Sequence, residues 1–139
     1  MNSKTVTIFG VFDGIHNGHR AFICDAKREG DRLVAIVARD EAVEKLKGQL
    51  PLQNETKRIQ ALLEIPEIDL VFLGDPEEGT YNIIKEIKPD IIYFGYDQQT
   101  LFESLNRAMA KNILPKNIKL IFGKPHKGDT HHSSILNKK

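Results

Sequence analysis

Tryptophan is missing from this 139-residue chain, and cysteine occurs only once. The lone Cys24 excludes an internal disulfide, and with it the cross-linked framework of small secreted domains. Apolar burial must then stabilise the fold. No apolar run approaches the roughly 18 residues that a membrane-spanning helix needs, and the polar Met1–Lys4 lacks the pattern of a secretory leader. A cytoplasmic protein with no membrane partner is expected. An excess of one charge is lacking too, since 20 Lys and Arg face 19 Asp and Glu, a net charge of +1. The basic residues form no stripe of the kind that holds DNA or RNA, so no nucleic-acid partner is expected. Internal repeats, low-complexity segments and linkers are also absent. Hydrophobic residues at 40% and charged residues at 28% match an ordinary globular protein, and the length suits one domain over 1–139.

Five short runs rich in branched or aromatic residues read as strands: Thr5–Phe9, Leu33–Ala38, Leu70–Leu73, Ile91–Phe94 and Ile118–Phe122. Their apolar character is nearly continuous, as in parallel strands covered on both faces. Helical patterns separate them over His19–Arg28, Asp40–Leu46, Glu55–Glu64, Thr80–Ile87 and Leu101–Lys111. Asp40 suits the N-cap of the second helix, and Lys88-Pro89 ends the fourth. Strands alternating with helices predict an α/β class. The expected form is a single Rossmann-like open parallel sheet, order 3-2-1-4-5, with helices on both faces. Loops are expected over Gln49–Asn54, Asp75–Gly79 and Lys124–His131. In such sheets ligands bind beyond the carboxyl ends of the strands, where the strand order reverses.

After the first strand the chain reads Gly10-Val11-Phe12-Asp13-Gly14-Ile15-His16-Asn17-Gly18-His19 and then enters a helix. Gly10 removes a side chain where a phosphate can approach the backbone. Gly18 does the same at the first helical turn, where N–H groups and the helix dipole favour an anion. His16 and His19, three apart, can point the same way and donate N–H bonds to oxygens that gain charge during phosphoryl transfer. The Walker A pattern, the Gly-x-Gly-x-x-Gly fingerprint and the His-Glu-x-x-His zinc motif are all absent. By themselves the two histidines also fit surface residues; their place at the first strand–helix turn favours ligand contact.

Phe12-Asp13-x-x-His16-x-Gly18-His19 resembles the signature of the cytidylyltransferase-like nucleotidyltransferases. That superfamily includes glycerol-3-phosphate cytidylyltransferase, phosphopantetheine adenylyltransferase and the FAD synthases. Later segments resemble it in the same order: Ala38-Arg39-Asp40, Val43 to Gly48 with its lysines, Asn54-Glu55-x-x-Arg58, Gly95-Tyr96-Asp97-Gln98 and His132-Ser133-Ser134-Ile135.

The resemblance implies in-line attack of an acceptor phosphate on the α-phosphate of a nucleoside triphosphate, with release of pyrophosphate. Mg²⁺ would be shared among substrate phosphates, and no metal site held by the protein itself is implied. His16 and His19 would act catalytically on the α-phosphate and the bridging oxygens. Gly10 and the backbone of Val11 and Phe12, with Asn17 and Gly18, would line the nucleotide site. Asp97 would accept from ribose or base, and Ser133 and Ser134 would hold the outer phosphates. Asp40, Lys45, Lys47 and Arg58 would face the acceptor, with Lys47 the better candidate for its phosphate.

Each role has a structural rival. Asp13 reads better as a brace for its turn. Lys45 and Lys47 also fit a solvated helix end, Asp97 and the serines fit helix caps, and His126, His131 and His132 fit an exposed loop. The chain departs from many relatives in lacking an arginine after Arg107, for which Lys124 or Lys127 could substitute as a point charge. It also lacks the C-terminal cysteines of archaeal relatives. The motifs most resemble archaeal-type FAD synthases, which implies ATP and FMN as substrates. CTP with glycerol 3-phosphate or another small phosphorylated alcohol is the alternative. A nucleotide-sensing module and a histidine-based metal store are the non-enzymatic ones. Relatives are often homodimers.

Overall fold

The computed structural model describes residues 3–76 and 80–123. The strands are β1 (Thr5–Gly10), β2 (Arg32–Val37), β3 (Leu70–Leu73), β4 (Ile91–Phe94) and β5 (Lys119–Phe122). The helices are α1 (Asn17–Lys27), α2 (Asp40–Lys47), α3 (Glu55–Leu63), α4 (Asn82–Ile87) and α5 (Gln99–Ala110). Every strand pair is parallel, and the order is β3-β2-β1-β4-β5, as expected from the sequence. The chain winds outward from β1 through β2 to β3, then returns to the other side of β1 for β4. The switch point therefore lies between β1 and β4, and the segment carrying both histidines leaves from it.

Strand side chains alternate between two apolar layers, because successive residues of a strand point to opposite faces. Val6, Ile8, Leu33, Ala35, Val37, Ile91 and Tyr93 pack on one face with Ile23 and Ala26 of α1 and Leu62 of α3. Ile36, Ile92 and Phe94 pack on the other with Ile84 of α4 and Leu105 and Ala108 of α5. Two buried faces explain why the strands read as continuous apolar runs. Helices thus cover both sides of the sheet.

Differences from the sequence reading lie at the ends of strands and helices; β2, for instance, spans Arg32–Val37 rather than Leu33–Ala38, and α1 begins at Asn17 rather than His19. Asp40 is the first residue of α2 rather than its cap; Arg39 occupies the cap position without a side-chain cap bond. The carboxylate still sits favourably at the positive end of the dipole. Helix α4 begins two residues later than expected, after Tyr81 at φ 56°, and the Asp75 carboxylate accepts the Ile83 N–H. It stops at Lys88, φ 55°, ahead of Pro89. Among the described residues no helix is long and apolar enough to cross a membrane.

Candidate active site

The loop leaving β1 is shaped by Phe12. Its ring is buried, and its backbone lies at φ 55°, a left-handed conformation that bulky residues rarely adopt. A Cβ on Gly10 would stand 2.8 Å from two atoms of that ring. Gly10 is therefore needed for the Phe12 ring, a packing reason beside the phosphate approach inferred from sequence. Gly14, at φ 75°, then turns the chain toward α1.

At the start of α1 the two histidines cap the helix reciprocally. His16 is the N-cap, and its Nδ1 accepts the Gly18 N–H at 3.1 Å. The Nδ1 of His19 accepts the His16 N–H at 3.2 Å. Their rings lie side by side with centroids 3.9 Å apart, and His19 also approaches the ring of Phe12 at 5.8 Å. A nitrogen that accepts an N–H carries no proton of its own. Each neutral ring then holds its proton on Nε2, which makes that nitrogen a hydrogen-bond donor. The spacing of three residues thus does two things: it closes a capping box and fixes two imidazoles in the donor form. Asn17 and Gly18 lie between them in the first turn; the Gly18 N–H is used by the cap.

Behind this turn stands a polar brace. The Asp13 carboxylate accepts the N–H groups of Leu52 and Gln53 at 2.7 and 2.9 Å, and Gln53 Oε1 accepts the Gly14 N–H at 3.2 Å. Asp13 is a brace, as its residue type predicts, but it holds the loop between α2 and α3 rather than its own turn. Arg58 completes the joint. Its side chain is 0% exposed. It donates to the Val11 carbonyl at 2.8 Å, the Gln53 carbonyl at 3.0 Å and the Asp40 carboxylate at 2.7 Å. The expectation that Arg58 meets an acceptor phosphate is corrected here, because burial turns its planar fork onto protein oxygens. Asp40 is likewise engaged: its second oxygen accepts the Glu55 N–H at 3.3 Å, while Glu55 Oε1 accepts the Asp40 N–H at 2.8 Å. The starts of α2 and α3 so cap each other. Glu55 and Gln53 had no role in the sequence reading, since their partners are remote or on a neighbouring helix.

Across the switch point, the turn after β4 is tied to the end of β1. Gln98 Oε1 accepts the Gly95 N–H at 2.8 Å, and Gln98 Nε2 donates to the Phe9 carbonyl at 2.9 Å. A Cβ on Gly95 would stand 3.0 Å from an oxygen of Asp97, so the glycine leaves room for that carboxylate. Asp97 is exposed and does not cap α5, whose cap position is Gln98. Gln98 adjoins the Gly-x-Asp turn; its bond to β1 lies 89 residues away and left no local signal. Lys45 and Lys47 are exposed on the last turn of α2, where cations suit the dipole. Ser133, Ser134, Lys124, Lys127, His126, His131 and His132 lie outside the described residues.

Shifted titrations lie elsewhere. Lys27, then the Leu33 N–H, hold Asp69 below the usual carboxylate range. Burial, then Glu67, push the Cys24 thiol up, and burial, then Asp25 and Glu29, raise Tyr93.

A doubly wound parallel sheet with a glycine-bearing turn and two donor imidazoles at its switch point defines an α/β protein that handles phosphate esters there. The chain belongs to the cytidylyltransferase-like family, whose model matches residues 7–134. It is similar to a FAD synthase of Pyrococcus horikoshii, 43% identical over 104 residues, which cover 75% of this chain and 70% of the relative. A FAD synthase of Thermoplasma acidophilum is 34% identical over 130 residues, covering 94% and 89%. Among solved structures, the lipopolysaccharide core biosynthesis protein of Thermoplasma volcanium aligns with a TM-score of 0.80 and 31% identity, over 91% of this chain and 100% of that one. Pantoate-beta-alanine ligase of Francisella tularensis, at 16% identity and a TM-score of 0.60 over 90% and 61%, shares the fold alone. Family membership makes this chain a nucleotidyltransferase.

Proposed function

We propose that this enzyme transfers AMP from ATP to FMN, forming FAD and pyrophosphate. The FAD synthase relatives, similar over up to 94% of the chain, support the choice of ATP and FMN. The observation that carries the chemistry is the reciprocal cap of His16 and His19, which presents two imidazoles as Nε2–H donors at one helix start.

In the reaction a phosphate oxygen of FMN attacks the α-phosphorus of ATP. The bond to the oxygen that bridges the α- and β-phosphates breaks, and pyrophosphate leaves with that electron pair. An ionised phosphate needs no strong base, so positioning and charge stabilisation supply most of the rate. The two Nε2–H groups stabilise charge on the α-phosphate and on the departing bridge. Lys47, with Lys45 beside it, attracts the acceptor phosphate, and Asp97 accepts from the ribose or base. Ser133 and Ser134 hold the outer phosphates in this scheme. Mg²⁺ shared among the substrate phosphates would neutralise charge as pyrophosphate leaves. The single Cys24 suits a reducing cytoplasm.

Pyrophosphate release tests this directly. ATP and CTP are each paired with FMN and with glycerol 3-phosphate in the presence of Mg²⁺. Turnover is expected with ATP and FMN. Turnover confined to CTP and glycerol 3-phosphate overturns the assignment in favour of cytidylyl transfer.

A further inference from the structure

The loop joining α2 to α3 displays apolar side chains that the fold does not use. Leu50 and Leu52 in this loop are 59% and 97% exposed, and Leu46 on the last turn of α2 is 80% exposed, three large apolar residues within seven positions. Single exposed leucines are common, but a cluster of them marks a contact surface. The backbone that carries them is fixed. Asp13 holds the N–H groups of Leu52 and Gln53, Gln53 holds Gly14, and the buried Arg58 holds the Gln53 carbonyl. A loop pinned by four hydrogen bonds while its leucines face outward is preorganised for a ligand rather than collapsed onto the core.

Beside these leucines lies a cavity of 230 Å³ lined by Asp40, Leu50, Pro51, Leu52, Asn54 and Lys57. Whole-ligand pockets run from about 300 to 1,000 Å³, so this one suits one end of a larger molecule. Its walls combine apolar surface with a carboxylate, an amide and an ammonium group. We propose that Leu50 and Leu52 form the platform on which the isoalloxazine ring of the acceptor lies, with its polar edge toward Asp40 and Asn54. The inference rests on FMN being the acceptor. A flat heteroaromatic ring with N–H and carbonyl groups on one edge matches this lining, whereas glycerol phosphate has no face to offer it.

A second copy of the chain fits less well. A standard interface buries about 800 Å² on each partner, beyond what three leucines supply. Lys45 and Lys47 are exposed at the end of α2, and the exposed Lys57 stands on the cavity wall. The same lysines complement an anionic flavin.

The test uses Leu50→Ser, Leu52→Ser and the conservative Leu52→Met, all at surface positions that leave the core intact. The serine variants are expected to raise KM for FMN at least tenfold with KM for ATP unchanged, and to weaken the quenching of FMN fluorescence on titration with protein. Leu52→Met, which keeps an apolar side chain of similar volume, is expected to raise KM for FMN less than Leu52→Ser does. Wild-type KM for FMN in both serine variants overturns the platform while leaving FAD synthesis standing. A wild-type protein that makes no FAD removes the flavin assignment itself. A wild-type dimer that becomes monomeric in the serine variants, seen by sedimentation, assigns the leucines to self-association and overturns the platform as well.

Discussion

The guanidinium of Arg58 donates to the Val11 carbonyl at 2.8 Å, joining residues 47 positions apart. Through this bond and those to Gln53 and Asp40, one buried side chain sets the loop after β1 against the start of α3. The histidines leave that loop only a few residues later. The geometry of the phosphate end of the site thus depends on a residue that touches only protein.

Arg58→Met removes one partner of a buried ion pair. A loss of about 3 kcal/mol is expected, at the lower end for such pairs, because Asp40 can still reach water. Arg58→Lys keeps the charge but not the fork, and is expected to recover only part of that loss. Urea denaturation midpoints measure both. A midpoint for Arg58→Met equal to wild type removes the brace.

His16→Asn separates capping from chemistry. Asparagine is among the best N-caps, so the melting temperature is expected to stay near wild type, but the Nε2–H donor is lost. Turnover is expected to fall roughly a hundredfold, the scale of losing one oxyanion donor. His16→Ala should show the same fall together with about 1 kcal/mol of lost stability. Pyrophosphate release and thermal melts on both variants separate the two effects; wild-type turnover in either takes His16 out of the mechanism.

Asp69 sets a small acid limb on stability. Lys27 at 2.7 Å and the Leu33 N–H at 2.8 Å hold its folded pKa below the unfolded value of about 3.9. Its contribution is therefore complete above that unfolded value and is lost as pH falls through the folded one. Both side chains of the pair are partly exposed, which keeps the contribution at or below about 1 kcal/mol. Unfolding free energies from pH 7 to pH 2 are expected to fall less steeply for Asp69→Asn than for wild type. Parallel curves remove the assignment.

Thr7 lies at the centre of β1 with its hydroxyl oxygen buried and unpartnered among the described residues. A methyl group in that place has no desolvation cost to offset. Thr7→Val is expected to stabilise the protein by about 1 kcal/mol, read as a raised urea midpoint at unchanged slope. A lowered midpoint means that the hydroxyl has a partner.

By itself the sequence determined the alternation of strands and helices, because runs of branched residues and helical apolar stripes are local patterns with fixed periods. It also placed His16 and His19 at the first helix start, where three-residue spacing brings side chains together whatever surrounds them. Tertiary structure decided the rest. The motif around Arg58 points to contact with an acceptor phosphate; only the approach of Val11 and Gln53 from other segments shows that the side chain is enclosed. Asp40 looked like a cap until Glu55 and Arg58 met its carboxylate, and Gln98 had no visible role before Phe9 came within reach. Burial and hydrogen-bond partnership between distant segments are properties of the packed chain, and no local pattern encodes them.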